Sequence, residues 1–283
     1  MSTSRYLESG SLTLQPGEDG TFIVDPLCCG VHKADGSVDR TAVIRKLTPR
    51  VRVRLAEPSA QNDNLEAGNI LLRESLVEVG GEKPTGSVLD RLYNGDRDLI
   101  QMAARQISMG NTVTYQPVTC PGCRGRYHPV ITIDNMEVFR VNPDEVEAIT
   151  DPAGNPALGF RVESAEHEIE AVVRFSQGRD QKAVEKVRRN FVAALHRMIC
   201  ECVHSFRFRG EEIEHRGAAL QAWVESPAGV PMDAWDWLTE EIMDHQPGPD
   251  LVNFMACPDC GRRELLDLGA SDFLVPTPRG RRR

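Results

Sequence analysis

Apolar residues recur along this chain with two periods, one near two and one near 3.6, separated by polar clusters. In RVRVRLAE, Val51, Val53 and Leu55 fall on alternate positions, which predicts a strand with one apolar face. A polar turn, EPSAQNDN, follows. LEAGNILLRESLVEVGG then predicts a helix that stops at Gly80 and Gly81, because glycine takes the left-handed helix-ending conformation without a Cβ penalty. GDRDLIQMAARQISMGN predicts the clearest helix of the chain. Leu99, Met102, Ala103, Gln106 and Ile107 share a stripe, Asp96 and Asp98 suit the positive end of its dipole, and Gly110 and Asn111 stop it. TVTYQPVTCPGCRGRYHPVITID reads as two strands joined by a turn through Cys120 and Cys123.

Residues 142–158, NPDEVEAITDPAGNPAL, have the Pro, Gly and acid content of a linker. A second series then begins. IEAVVRFSQGRD is strand-like, and QKAVEKVRRNFVAALHRMICECV predicts one helix with Val184, Val187, Phe191, Leu195, Met198 and Cys202 along a stripe. PMDAWDWLTEEIMDH predicts a further helix, and DLVNFMACPDCGRRELLDLG repeats the strand, cysteine turn and strand. The recurrence predicts an internal duplication that sets Arg54-Leu55 against Arg174-Phe175, Leu72-Arg73 against His196-Arg197, Leu99 against Leu238, and Cys120-Cys123 against Cys257-Cys260. The expected fold is α+β: two tandem repeats, each packing helices on a small antiparallel sheet that bears a cysteine knuckle. The expected divisions are a peripheral segment at 1–45, repeats at 46–141 and 159–276 around the linker, and a basic tail at 277–283.

Composition narrows the setting. With 283 residues, 40% hydrophobic and 27% charged, the chain can bury a core without disulfides. A net charge of -9 argues against broad nucleic-acid binding, which wants a positive surface. The start, MSTSRYLESGSLTLQPGEDG, has no apolar central run and no stretch is long enough to span a bilayer, so the expected compartment is the cytosol. There the eight cysteines would be reduced, and paired knuckles point to metal before disulfide.

Zinc takes four ligands in a tetrahedron, and each CPxC turn supplies two. The simplest assembly is one structural zinc between the halves, held by Cys120, Cys123, Cys257 and Cys260. A rival completes the second knuckle with Cys200 and Cys202 and the first with His128, Cys28, Cys29 or His32. It is weaker because Cys202 lies on an apolar helical stripe and Cys28 and Cys29 are adjacent. A metal-free pair of knuckles is a further alternative. A redox CxxC would open a helix, which neither CRGRYHPVITID nor CGRRELLDLG resembles.

Catalytic patterns are missing: no phosphate loop, no GxSxG and no HExxH. His167 in EHEIE and His215 in EEIEH read as solvated. Trp235 and Trp237 read as the core and rim of a helix. The expectation is a protein that is not an enzyme.

Short motifs carry a resemblance by their order. Arg174, Phe175, Gly178, Arg179 and Asp180 form a strand-and-turn motif; Leu71, Leu72 and Arg73 end a helix; Asp96, Arg97 and Leu99 begin the next. Cys120, Pro121, Cys123, Ile133 and Asp134 form the knuckle and its strand. Over roughly residues 50–275 this pattern resembles the baseplate hub assembly chaperone family of T-even-type phages, with relatives in contractile injection systems. The first-half turn, LAEPSAQND, lacks the Gly-Asp, and LVPTPRGRRR stands where some relatives have a longer helical extension. The resemblance implies a non-catalytic chaperone or minor component of a baseplate hub, with hub or spike proteins as partners. The residues leave two alternatives open: a zinc-ribbon module for nucleic acid or transcription machinery, and a CxxC thiol-disulfide enzyme.

Overall fold

The computed structural model describes residues 5–33, 35–61, 64–115, 117–185, 187 and 190–267. The basic tail expected at 277–283 lies outside the described residues.

The chain opens with β1 (Leu7–Ser11), β2 (Leu14–Pro16), β3 (Phe22–Val24), β4 (Val31–His32), β5 (Val38–Asp39) and β6 (Ala42–Ile44). Three helices follow, α1 (Arg50–Leu55), α2 (Pro58–Gln61) and α3 (Asn64–Ser75), and then β7 (Leu76–Val79). β2, β3, β6 and β7 form a four-stranded antiparallel sheet. This segment is central rather than peripheral: Leu27, Cys28 and Cys29 are fully buried. The strand expected at Val51–Leu55 is instead α1. Val51 and Leu55 are also four apart, so they share a helical face, and both pack in the cluster of Leu71 and Met102 while Val53 is 69% exposed. Three alternating apolar residues satisfy both periods, and tertiary packing decides between them. The helix expected through Val79 ends at Ser75, and its last turn is β7, which closes at Gly80 and Gly81 with φ of 57° and 78°.

α4 (Gly86–Arg91) and α5 (Asn94–Met109) come next. α5 is the helix the stripe predicts, and it ends at Gly110, φ 89°. It is central to the molecule: Leu99, Ile100 and Ala103 join the core of the four-stranded sheet, while Met102 joins the neighbouring cluster with Val51 and Ile131. Gly95 allows the close passage of Pro247 and Gly248, whose backbones would meet any Cβ there.

β8 (Thr112–Thr114), β9 (Val118–Thr119), β10 (Arg126–Tyr127) and β11 (Val130–Thr132) form the first knuckle hairpin, β9 pairing with β10 and β8 with β11. β12 (Glu137–Val141) pairs with β1. The stretch read as a linker is ordered sheet. β13 (Glu147–Thr150) pairs with β14 (Pro156–Ser164) across a turn in which Asp151 Oδ1 accepts from the amides of Ala153 and Asn155, at 2.7 and 2.9 Å.

β15 (Ile169–Arg174), α6 (Gly178–Glu185), α7 (Phe191–Cys202), β16 (Val203–Phe208) and β17 (Glu211–Glu212) complete a five-stranded antiparallel sheet in the order β13-β14-β15-β16-β17. The single helix expected over 181–203 is thus split. Asn190, whose side chain accepts from the Ala193 amide at 3.2 Å, caps a fresh start. α8 (Gly217–Val224), α9 (Met232–Asp244), β18 (Gly248–Pro249), β19 (Val252–Ala256) and β20 (Arg263–Asp267) end the described chain. The second core, with Phe160, Phe175, Phe206, Trp235 and Leu238, lies between this sheet and α7–α9.

The molecule is therefore α+β. Two stretches follow a similar order: β6 leads through α1–α3 to β7, and β15 through α6 and α7 to β16. Ile44 pairs with Leu76 and Val173 with Val203, each at a register shift. The next residue in each stretch is an arginine that reaches the end of the helix before the return strand. Arg45 Nε donates to Glu74 O at 2.9 Å, and Arg174 Nη2 to Glu201 O at 3.1 Å.

Candidate metal centre

Each knuckle is built by its backbone. In the first, the Cys120 amide donates to Gly125 O at 2.9 Å and the Arg124 amide to Cys120 O at 2.8 Å. In the second, the Cys257 amide donates to Arg262 O and the Gly261 amide to Cys257 O, both at 2.8 Å. The residue after the second cysteine is left-handed in both, Arg124 at φ 61° and Gly261 at φ 73°. The amides of Gly122 and Gly125 point at the sulfurs of Cys120 and Cys123, each at 3.4 Å. Such N–H···S bonds favour thiolate over thiol. Gly122 and Gly125 also make room for the other knuckle: a Cβ on Gly125 would meet the carboxylate of Asp259, and one on Gly122 would come within 3.0 Å of Arg262 Cδ.

The two turns face each other. Cys120 Sγ lies 3.6 Å from Cys260 Sγ, and Cys123 Sγ 3.6 Å from Cys257 Sγ. All four sulfurs are within 4.8 Å of one another. A disulfide would need about 2.05 Å, whereas a tetrahedron of metal–sulfur bonds of about 2.3 Å has edges of about 3.8 Å. The spacing therefore fits a metal ion between the turns, and these four cysteines could hold one.

Cys120 and Cys257 are buried against Tyr127 and Val118, while Cys123 and Cys260 face solvent. The backbone amide of Cys123 leads in holding the Cys120 thiol down at about 7. At Cys123 the Gly125 amide pulls down, but hydrogen bonds shared with Cys257 and Cys260 push it up to about 12. The Cys120 sulfur is poised to bind as thiolate, and Cys123 releases its proton as the cation arrives. Arg124, Arg126, Arg262 and Arg263 are exposed in and beside the two turns. Sequence reading missed this basic collar because its arginines are scattered among prolines, glycines and acids on two distant segments.

The rival ligands lie elsewhere. Among the described residues, these four cysteines are the one group of three or more metal-binding side chains. Cys28, Cys29 and Cys202 are buried in apolar cores, and burial pushes the thiols up. Cys200 is buried as well and pushed up to about 12. His32 is held down by burial, and His128 is exposed with Nδ1 3.2 Å from Tyr115 O. His167 lies over Trp237, ring centroids 5.3 Å apart, and Trp235 is buried while Trp237 sits at the rim.

The turn motif at Arg174 has a structural part. Its guanidinium grips Asp180 with two bonds of 2.9 and 2.8 Å, both side chains 2% exposed, and Asp180 accepts from the Gln177 amide at 2.7 Å. Gly178 fits where a Cβ would strike Leu89 O and the Arg97 guanidinium. Its amide donates to Leu92 O at 3.0 Å, and the Asn94 amide donates to Ser176 O at 2.9 Å. The motif is the joint between the start of α5 and the second sheet.

A family model described as T4 bacteriophage base plate protein matches residues 70–275, from within α3 through the joint and both knuckles. No curated protein and no solved structure matches the chain.

Proposed function

The chain belongs to the T4 bacteriophage base plate protein family, and on that premise we propose that it is a non-catalytic assembly chaperone or minor component of a baseplate hub, in a phage tail or a phage-derived contractile injection system. The observation that carries this reading is the family match together with a closed donor set: four thiolates fill a tetrahedral shell and leave no position for a substrate or an activated water. The ion is zinc, one per chain, and its role is to hold two distant hairpins together. The two stretches of similar element order are copies of one unit, which the matching register at Ile44 and Val173 supports. The protein works in the cytoplasm of the cell that builds the particle, with hub or spike proteins as its partners.

A redox role is disfavoured because both CPxC turns lead into strands, β10 and β20, rather than helices. The basic collar gives the nucleic-acid reading one point in its favour. Filter binding to duplex DNA at low salt checks it, because a true complex weakens steeply as salt rises. The direct test of the baseplate reading is deletion of the gene. Assembly intermediates lacking a complete hub should accumulate and functional particles should be lost. Normal particles from the deletion strain would overturn it.

A further inference from the structure

The segment 45–54, RKLTPRVRVR, carries five cationic side chains and no acid, in a chain of net charge -9. Arg54 is paired with Glu74 at 2.7 Å. Lys46, Arg50 and Arg52 are exposed and make no ion pair with another described residue. Arg50 opens α1, which has no acid in its first turn and no side-chain cap, so this cation sits at the positive end of the dipole, whereas Arg52 falls in the last turn. Helix electrostatics do not explain Arg50, and Lys46 lies outside the helix.

Beside them is a groove of about 180 Å³ with an apolar floor of Leu47, Val51, Leu55, Leu71 and Met109 and with Thr48, Ser108 and Arg52 on its wall. That volume is below the ~300–1,000 Å³ usual for small-molecule pockets and matches the anchor side chain of a docking segment. Met109, 38% exposed, extends the apolar surface outward. The groove lies far in sequence from the knuckles and uses none of their residues.

We infer that this groove docks an acidic segment of another baseplate protein, with one large apolar side chain seated among Leu47, Leu55 and Met109 and carboxylates facing Lys46, Arg50 and Arg52. The choice of occupant follows from charge. A cationic rim on an otherwise acidic molecule draws an acidic partner and repels the chain's own PRGRRR end. The inference rests on the baseplate reading for the partner's identity, but the groove's chemistry stands apart from it.

Two probes separate the two. The first is a fluorescein-labelled amphipathic peptide of Leu and Glu, beside a counterpart with Lys for Glu. The second is the set of other baseplate proteins of the same particle, each purified. The full chain, its R50E/R52E variant and its Met109→Lys variant are compared, with circular dichroism and metal content confirming that each is folded. The expected result is that the acidic peptide and one baseplate protein bind the wild type, at least tenfold more weakly to either variant, with affinity falling as salt rises; the Lys peptide does not bind. Equal binding of the baseplate protein to all three chains would overturn the groove and leave the baseplate reading standing. Binding of the acidic peptide alone would keep the groove and remove a baseplate protein as its occupant. No binding of either probe sinks the proposal. So does self-association, or retention of a DNA oligonucleotide, that depends on Arg50 and Arg52.

Discussion

Asp96 stands where helix electrostatics place an acid, at the start of α5, but its carboxylate serves another segment. Oδ1 accepts from the Cys29 amide at 3.0 Å and Oδ2 from the Gly30 amide at 2.9 Å, with the side chain wholly buried. Burial raises its pKa from 3.8 to about 6, against the pull of those amides. The sign follows from linkage: between about pH 4 and 6 the folded chain holds a proton that the unfolded chain has lost. Stability from this group is therefore full below about pH 4 and is lost as pH rises through about 6. The loss is about 3 kcal/mol from a shift of that size. Asp96→Asn does not titrate. Urea midpoints of the two proteins from pH 4.5 to 7 should show the wild type's relative stability falling as pH rises, and parallel curves would refute the assignment. The acid was legible in sequence, but its partner was not, because Cys29 and Asp96 meet only through the fold.

At the scale of elements, the two knuckles show how one short motif is completed by another. Each turn closes with the same pair of backbone bonds, so the local sequence suffices to shape it. Their approach depends on Gly125, where a Cβ would press on Asp259 and lie 3.3 Å from Cys123 Sγ. Gly125→Ala should weaken metal affinity by about 10–100-fold, the range typical of changes just outside the ligands, measured by competition with a chromogenic chelator. Unchanged affinity would mean that the turns adjust freely. Elsewhere, element type was legible where a stripe was long, as in α5 with Leu99, Met102, Ala103 and Ile107. It failed for Val51, Val53 and Leu55, and at Ser75–Leu76, where helix gives way to strand without a break in apolar pattern.

For the whole molecule, the sulfur cluster joins segments 134–140 positions apart and supplements a joint made of other bonds. The bond from the Gly178 amide to Leu92 O and the contacts of Asn94 with Ser176 hold the halves without it. Removing the metal, by chelation or Cys257→Ser, should lower stability by several kcal/mol, near the ~4.7 kcal/mol chain-entropy bound for closing a 100-residue loop. Hydrogen exchange should then speed over 112–132 and 252–267 and remain slow in β14–β16. One zinc per chain by elemental analysis, lost in the variant, is the expected stoichiometry. A chain with no metal, or with two ions of which the variant keeps one, would break the shared-site reading. Among the described residues, no helix is long and apolar enough to cross a membrane.

The sequence by itself determined the α+β class, the principal helix, the two cysteine turns and the family, because these rest on local periodicity, turn chemistry and the order of short motifs. Tertiary structure decided what those features do. It made a helix of residues 50–55, built the expected linker and the N-terminal stretch into sheets, and brought Cys120 and Cys123 opposite Cys257 and Cys260. It also turned Arg174 and Asp180 into a buried clamp and gathered Lys46, Arg50 and Arg52 beside a groove with an apolar floor. The physical reason is the same in each case: burial and pairing depend on which distant segment arrives, and a local pattern states only what a segment can offer.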